Sequence, residues 1–294
     1  MSETETLTCK ICMAAAVPLG VRRGTFKDQL FEIFRCDNCG FIFVSNPWLE
    51  YKEIYSEAYY QGQGADRSVD YVFELLNPKK TIRQYEWRGI VEVVRSHLEL
   101  VSDARWLDFG CGNGGLVRYC REHLPCSVWG YEEGWIRDQA VKLGIPLLTR
   151  AALDSAAGTF DVVTAIEVLE HVSDPVEELR RIRSLLKPGG LLFMTTGNAA
   201  PHRERLFEWG YFLPEVHISL FEPRTLARAL EESGFRAEFR GYSPGFDDII
   251  RFKVLKNLGV RTISIGEKAL PWKLLSRIAD KVSRVTAHPI GWAV

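Results

Sequence analysis

From Arg105 onward, short continuous apolar runs alternate with longer stretches whose apolar residues recur every three or four positions. Arg105–Phe109, Ser127–Tyr131, Ile145–Leu148, Phe160–Ile166 and Leu191–Thr195 read as strands. Leu116–His123, Trp135–Leu143, Val176–Leu186 and Thr225–Ser233 read as helices. Uninterrupted apolar strands joined by amphipathic helices predict a parallel sheet covered on both faces, a doubly wound α/β fold. Arg236–Tyr242 and Ile249–Val254 read as two more strands, joined by a turn at Pro244-Gly245. Upstream, Ile82, Tyr85, Ile90, Val93, Val94 and Leu98 make one face of a helix between Asn77-Pro78 and His97. The N-terminal region alternates over shorter spans, with small strands expected at Gly24–Asp28, Phe31–Ile33 and Phe41–Val44. Trp48, Tyr51 and Tyr55 stand at helical spacing and predict packing between two domains, and the loop Gln61–Asp66 is a candidate lid.

The first strand runs into Asp108-Phe-Gly-Cys-Gly-Asn-Gly-Gly115, with Gly110, Gly112 and Gly114 on alternate positions before a helix. Glycines there let the backbone turn sharply and lie against a ligand, and the helix N-terminus offers unpaired N–H groups. Glu132 ends the second strand, where a carboxylate can accept both hydroxyls of a ribose. A ligand bound beyond the carboxyl ends of the strands would meet all of these. Lys187-Pro-Gly-Gly190 reads as a helix stop and a tight turn into the fifth strand.

Cysteine usage adds a second feature. Cys9-Lys-Ile-Cys12 and Cys36-Asp-Asn-Cys39 can each offer two thiolates from one turn, a zinc-ribbon pattern with four protein ligands and therefore a structural Zn2+. The divisions expected are a ribbon and connector at 1–58, a lid loop and helix at 59–104, the catalytic domain at 105–255 and a basic segment at 256–294. The acidic, polar start and the lack of an apolar run near ~20 residues predict a soluble cytoplasmic protein. A net charge of −1 gives no electrostatic reason for a nucleic-acid partner. That sum hides nine Lys/Arg against two Asp/Glu from Ile249 to Val294.

Taken together, Leu107-Asp-Phe-Gly-Cys-Gly-Asn-Gly114, Glu132, Val168-Leu-Glu-His171 and Leu186-Lys-Pro-Gly-Gly190 resemble the class I S-adenosylmethionine-dependent methyltransferases. The resemblance implies a seven-stranded Rossmann-like sheet of order 3-2-1-4-5-7-6, with the seventh strand antiparallel. It also implies that Gly110, Cys111, Gly112 and Gly114 approach the methionine part of the cofactor and that Asp108 orients that loop or the amino group. Glu132 would hold the ribose, Ile166, Glu167 and Val168 would lie near the transferred methyl, and Leu153-Asp154 would flank the adenine. Helix-start electrostatics is the reading preferred for Glu170.

The ribbon, with His217-Ile-Ser-Leu-Phe221 before the late helix, is similar to the sugar methyltransferases of antibiotic and surface-glycan pathways. In C-methylating members a Tyr-x-Glu-His arrangement supplies the base. Here Val216 stands where Glu is expected and Phe212-Leu-Pro214 where Tyr would fall, which favours O-methylation of a sugar hydroxyl. A hydroxyl acceptor needs a base near neutral pKa, and His217 and then His171 are the candidates at the cofactor end of the sheet. His97, His123 and His202 read as solvated, and Glu222 as a helix cap. An RNA methyltransferase and a C-methyltransferase on a keto-sugar nucleotide stand as alternatives, although the ribbon lacks the Lys/Arg excess that phosphate contacts need. Leu274, Leu275, Ile278, Val282 and Val285 form an apolar stripe beside Lys273, Arg277, Lys281 and Arg284. That segment would pack on the domain or approach an anionic substrate or membrane surface.

Overall fold

The computed structural model describes residues 7–65, 70–239 and 244–278. Its first sheet is antiparallel: β1 (Leu7–Thr8), β2 (Ala15–Arg23), β3 (Leu30–Arg35) and β4 (Ile42–Val44), with β9 (Ser219–Leu220) added at the edge far in sequence. Phe31 and Ile33 on alternate positions of β3 are fully buried, as a strand with one face on a core requires. The expected strand at Gly24–Asp28 is instead a turn, closed by the Gly24 amide on the Gln29 carbonyl at 2.9 Å. The four N-terminal cysteines cap this sheet.

Short helices α1 (Tyr51–Ile54), α2 (Glu57–Tyr60) and α3 (Tyr71–Leu76) lead to the long α4 (Arg83–Arg95). Of the candidate lid, Gln61–Ala65 is described and its end packs inward: Ala65 is buried, and Gly64 sits so close that a Cβ would lie 2.6 Å from the Tyr59 Cα. Asp66 lies outside the described residues.

The second sheet is parallel, in the order β6 (Ser127–Tyr131), β5 (Arg105–Phe109), β7 (Phe160–Ile166), β8 (Leu186–Thr195). Helices α5 (Gly115–His123), α6 (Ile136–Lys142), α7 (Arg150–Asp154) and α8 (Pro175–Leu185) connect these strands. Asp174 caps α8 by accepting the Glu177 amide, with Pro175 at the first helical position. Among the described residues this gives four strands and not seven. Ile145–Leu148 contributes a single bridge, Gly130 to Leu147. Lys187-Pro-Gly-Gly190 lies within β8 as an irregularity, since Phe160 pairs with Leu186 but Val162 with Leu191. The Lys187 ammonium holds that excursion on Asp161 at 2.8 Å.

The largest departure follows α9 (Pro223–Glu232). Residues 236–239 carry no regular structure and 240–242 lie outside the described residues, while Ile249–Val254 belongs to helix α10 (Pro244–Asn257). Phe246, Ile249, Ile250, Phe252 and Leu255 are buried, and so are Arg251 and Lys253 between them. A helix covered on most sides leaves a nearly continuous apolar run, which periodicity cannot tell from a strand. Two glycines make its crossing with α4 possible. A Cβ on Gly89 would sit 2.5 Å from the Gly245 carbonyl oxygen, and one on Gly245 2.7 Å from the Gly89 carbonyl oxygen. α11 (Ile265–Lys268) and a helical stretch at 272–278 complete the described chain. Val282 and Val285 of the apolar stripe lie outside it, and Leu274 and Ile278 are exposed.

The two sheets share one interior. A continuous apolar cluster runs from Phe31, Ile42 and Val44 through Trp48 to Val94, Trp106 and Leu116. No helix among the described residues is long and apolar enough to cross a membrane. Gly89→Val would force the two backbones apart, at a cost of roughly 2–3 kcal/mol. Urea unfolding checks this, and an unchanged midpoint would contradict the crossing.

Candidate active site

Parallel pairing puts the carboxyl ends of β5, β6 and β7 side by side, and a cavity of about 1370 Å³ opens beyond them. That volume exceeds the upper range of about 1000 Å³ usual for one small ligand, so it leaves room for two. Asp108, Gly110, Cys111, Gly112, Glu132, Ile166, Glu167, Val168 and His171 all line it.

The glycine turn is built for close approach. Gly110, Gly112 and Gly114 have φ of 71°, 53° and 70°, the left-handed region where a Cβ is strained. A Cβ on Gly110 would also meet Val168 at 2.6 Å. Gly114 itself is the N-cap of α5 and packs against Ile145, away from the cavity lining. Asn113 pins the turn, accepting the Gly115 amide at 2.9 Å and donating to the Tyr71 carbonyl and to Glu74. Glu132 Oε2 accepts the Gly112 amide at 2.9 Å, while Oε1 accepts the Gly134 amide at 2.7 Å, the Glu133 amide at 3.0 Å and the Tyr60 hydroxyl at 3.3 Å. The long Tyr60 bond is the one an incoming hydroxyl can most readily displace.

Asp108 is buried under this loop and accepts from Thr164 at 2.7 Å. Burial, partly opposed by that bond, pushes its pKa up to about 7. Cys111 is held well above the ordinary thiol range by burial and by Asp108 and Glu132, so it stays a neutral thiol. Leu153 is fully buried in the core, Asp154 is exposed and paired with Arg150, and neither lines the cavity. The side chains on that wall are Arg150, Arg181, Tyr131 and Glu133.

A buried charge cluster that the sequence did not suggest closes the other side. Arg83 donates to Glu74 at 3.1 Å and Glu86 at 2.7 Å, and Lys253 from α10 reaches Glu167 at 3.1 Å and Glu86 at 3.7 Å. Arg83 lines the cavity, and its Nη2 is buried without a hydrogen-bond partner. A buried guanidinium N–H in that state is costly and suited to a ligand carboxylate. Together with the Cβ-free turn, this orphan donor fits the amino-acid end of S-adenosylmethionine.

Glu167 has φ 54°, a conformation rare outside glycine that marks local strain. Thr195, Tyr211 and Lys253 hold its carboxylate. Burial alone would raise its pKa, but Lys253 and Lys256 override that and hold it well below the carboxylate range. Glu170 is fully buried and is not simply a helix-start charge. Its carboxyl is bonded to the Tyr211 hydroxyl and, at 2.7 Å, to the Thr196 hydroxyl. Burial and the neighbouring Glu167 push its pKa up to about 8.

The two candidate bases are neighbours, with ring centroids 4.9 Å apart, but only His171 lines the cavity. His171 Nδ1 lies 2.9 Å from the Val216 carbonyl and 3.1 Å from the Tyr55 hydroxyl. A carbonyl can only accept, so the neutral ring carries its proton on Nδ1 and its lone pair on Nε2. His217 is buried behind it, stacked on Tyr211 at 4.2 Å, with Nδ1 on the Tyr211 carbonyl. Glu170, His171 and His217 bring ligand-type atoms within 4.8 Å of one another, a spacing a cation could also span. Glu170 bonds to the Thr196 and Tyr211 hydroxyls and the two histidine Nδ1 atoms to the Val216 and Tyr211 carbonyls, the wiring of a proton-handling cluster. Tyr51 and Tyr55 line the cavity and do not only pack between domains. His202 is half-buried on Trp209, with ring centroids 4.5 Å apart, and Glu222 pairs with Arg203 and Arg224 instead of capping α9 with its side chain.

In the N-terminal cysteine cluster, Cys9 Sγ lies 3.6 Å from Cys39 Sγ and Cys12 Sγ 3.3 Å from Cys36 Sγ, with all four sulfurs within 4.8 Å. Tetrahedral Zn–S bonds of about 2.3 Å place sulfurs about 3.8 Å apart, so the set fits zinc. The Ile11 amide points at Cys9 Sγ at 3.4 Å, and Gly40 follows the second pair at φ 79°.

Glu170 makes a pH dependence testable. A carboxyl that keeps its proton to about pH 8 when folded, against the ordinary 4.5 of an exposed glutamate, stabilises the fold below that lower value. The contribution is lost as pH rises through about 8. Glu170→Gln should flatten the decline in urea midpoint between those limits, and an identical slope would contradict the assignment.

Comparison with known proteins agrees with this geometry. The sequence profile of a family described as a methyltransferase domain matches residues 80–238. A ubiquinone biosynthesis O-methyltransferase of Xanthomonas euvesicatoria is 38% identical over 124 residues, covering 38% of this chain and 50% of that protein. The protein of the same name from Caulobacter vibrioides is 38% identical over 102 residues, covering 31% of this chain and 40% of its own length. The chain thus spans half or less of these curated relatives. Among solved structures, phosphoethanolamine N-methyltransferase 2 of Haemonchus contortus, in complex with S-adenosyl-L-methionine, superposes with a TM-score of 0.50 at 15% identity. It covers 86% of this chain and 60% of its own, a likeness of fold alone. With the family profile covering more than half of it, this chain belongs to the methyltransferase-domain family.

Proposed function

We propose that the chain is an S-adenosylmethionine-dependent methyltransferase that O-methylates a hydroxyl of a small polar acceptor, a sugar hydroxyl before a phenol. The observation that carries it is His171 at the cavity wall, with its Nδ1 tied to the Val216 carbonyl. Arg83 would hold the carboxylate of the bound cofactor, the 110–115 turn would receive its methionine part, and Glu132 would accept the ribose hydroxyls. When bound, S-adenosylmethionine supplies an electrophilic methyl on sulfonium, so the protein's task is to align the nucleophile. His171 Nε2 takes the acceptor hydroxyl proton, and the Val216 carbonyl stabilises the imidazolium that forms.

The mouth favours a polar acceptor. Lys52, Glu177 and Arg180, all exposed, line the cavity together with Asp174, Glu178, Tyr51 and Tyr55. Such a rim suits a ring bearing many hydroxyls and offers little to a long apolar tail. C-methylation of a keto-sugar is the second reading, since Tyr211, Glu170 and His217 do assemble in space. None of those three lines the cavity, and O-methylation is preferred. We also propose that Cys9, Cys12, Cys36 and Cys39 hold one structural Zn2+, whose binding is worth on the order of 10 kcal/mol of folding free energy.

Labelled-methyl transfer over sugar nucleotides, glycan fragments and catechols tests the acceptor class, and label on catechols alone would overturn the sugar reading. His171→Asn should lower turnover roughly 10²-fold or more without weakening S-adenosylhomocysteine binding. Unchanged turnover would retire His171 as base. Metal analysis should find about one zinc per chain, lost on Cys36→Ser. A folded, metal-free preparation would contradict the site.

A further inference from the structure

Four contacts join the N-terminal sheet to the segment that carries the backbone partner of His171. Strand β4 pairs with β9, Ile42 against Leu220 and Phe43 against Ser219. The Val44 amide donates to the Ile218 carbonyl at 2.9 Å, and the Ile218 amide donates to the Glu170 carbonyl at 2.8 Å. The Thr225 hydroxyl donates to the carbonyl of Cys39, one of the four clustered cysteines, at 2.6 Å. Glu215, almost wholly buried, turns its Oε1 into the β2–β3 turn, where it accepts the Thr25 amide and, at 2.9 Å, the Phe26 amide.

Val216 lies between these anchors. On one side Glu215 is clasped by the ribbon turn, and on the other Ile218 spans β4 and Glu170. The Val216 carbonyl is the acceptor for His171 Nδ1 at 2.9 Å. A side-chain carboxylate that satisfies two turn amides is expensive to bury and to hold unless its place is fixed. The constraint therefore runs from the cysteine-closed ribbon, through Glu215 and Ile218, to one carbonyl oxygen.

We propose that the ribbon is the positioning element for the catalytic imidazole: it sets the Val216 carbonyl and thereby the Nδ1–H tautomer of His171, with Glu215 as the positioning residue. The inference rests on the methyltransferase reading for its consequence, but not for its structural readout. Loss of the clasp lets residues 213–221 move, the carbonyl drifts from Nδ1, and Nε2 carries the proton part of the time. The cofactor side is held separately, by the Asn113 bonds within the 110–115 turn and the Gly112 amide on Glu132, and keeps its affinity.

The test compares Glu215→Ala, which removes the acceptor, with Glu215→Gln, whose Oε1 can still accept both amides. Nitrogen NMR of the His171 ring, assigned through its loss in His171→Asn, reads the tautomer without any acceptor. The wild type and Glu215→Gln should show the Nδ1–H form, and Glu215→Ala a mixture. Hydrogen exchange at 213–221 should quicken in Glu215→Ala while that of 105–132 is unchanged. Its turnover should fall about tenfold or more, with S-adenosylhomocysteine affinity within twofold of wild type. An unchanged tautomer despite faster exchange at 213–221 would overturn the proposal, as would unchanged exchange there. Loss of cofactor affinity in step with turnover would also overturn it. A wild type that binds the cofactor but transfers no methyl would count against the enzymatic reading alone, leaving the tautomer to decide the positioning role.

Discussion

The pairing of β5 with β6 on one side and β7 on the other is the constraint from which the site follows. Because all three strands run the same way, the turn after β5, Glu132 after β6 and Glu167 after β7 must emerge at one edge. The bond from the Gly112 amide to Glu132 then ties two of those ends together before any ligand arrives. Such a carboxylate is preorganised, already turned toward the cleft and held by backbone donors.

Burial of charge is the second theme. Glu74, Glu86, Glu167, Arg83 and Lys253 form one cluster among apolar neighbours, to which α10 contributes Lys253. Removing one member of such a cluster leaves an uncompensated buried charge, costing more than the pair itself contributes. The cluster thus links the packing of α4 and α10, through Gly89 and Gly245, to the placing of Glu167 and Arg83 at the cavity.

Much of this was legible in the chain. Strands 105–109, 127–131 and 160–166 coincide with their apolar runs, and the glycine turn, Glu132, Glu167 and His171 meet where the pattern implied. What was not legible depended on contacts between distant segments. Nothing local distinguishes the buried helix at 244–257 from a strand. Nothing near Glu170 or Lys253 marks them as buried partners. The order of the two histidines, His171 at the wall and His217 behind it, follows from the Val216 and Tyr211 carbonyls that hold their rings. Leu153 lies in the core and not at the adenine side, because a position after a strand says which edge a residue occupies but not whether α7 turns it inward. Arg83 had a helical address and no motif, and only its orphan Nη2 betrays a ligand.

The strands, the glycine turn and the buried charges together shape one cavity, and calorimetric titration of the full chain with S-adenosylhomocysteine tests it most directly. One saturable site per chain is expected, with no heat from a nicotinamide dinucleotide. Heat from the dinucleotide, with none from the sulfur nucleoside, would contradict it.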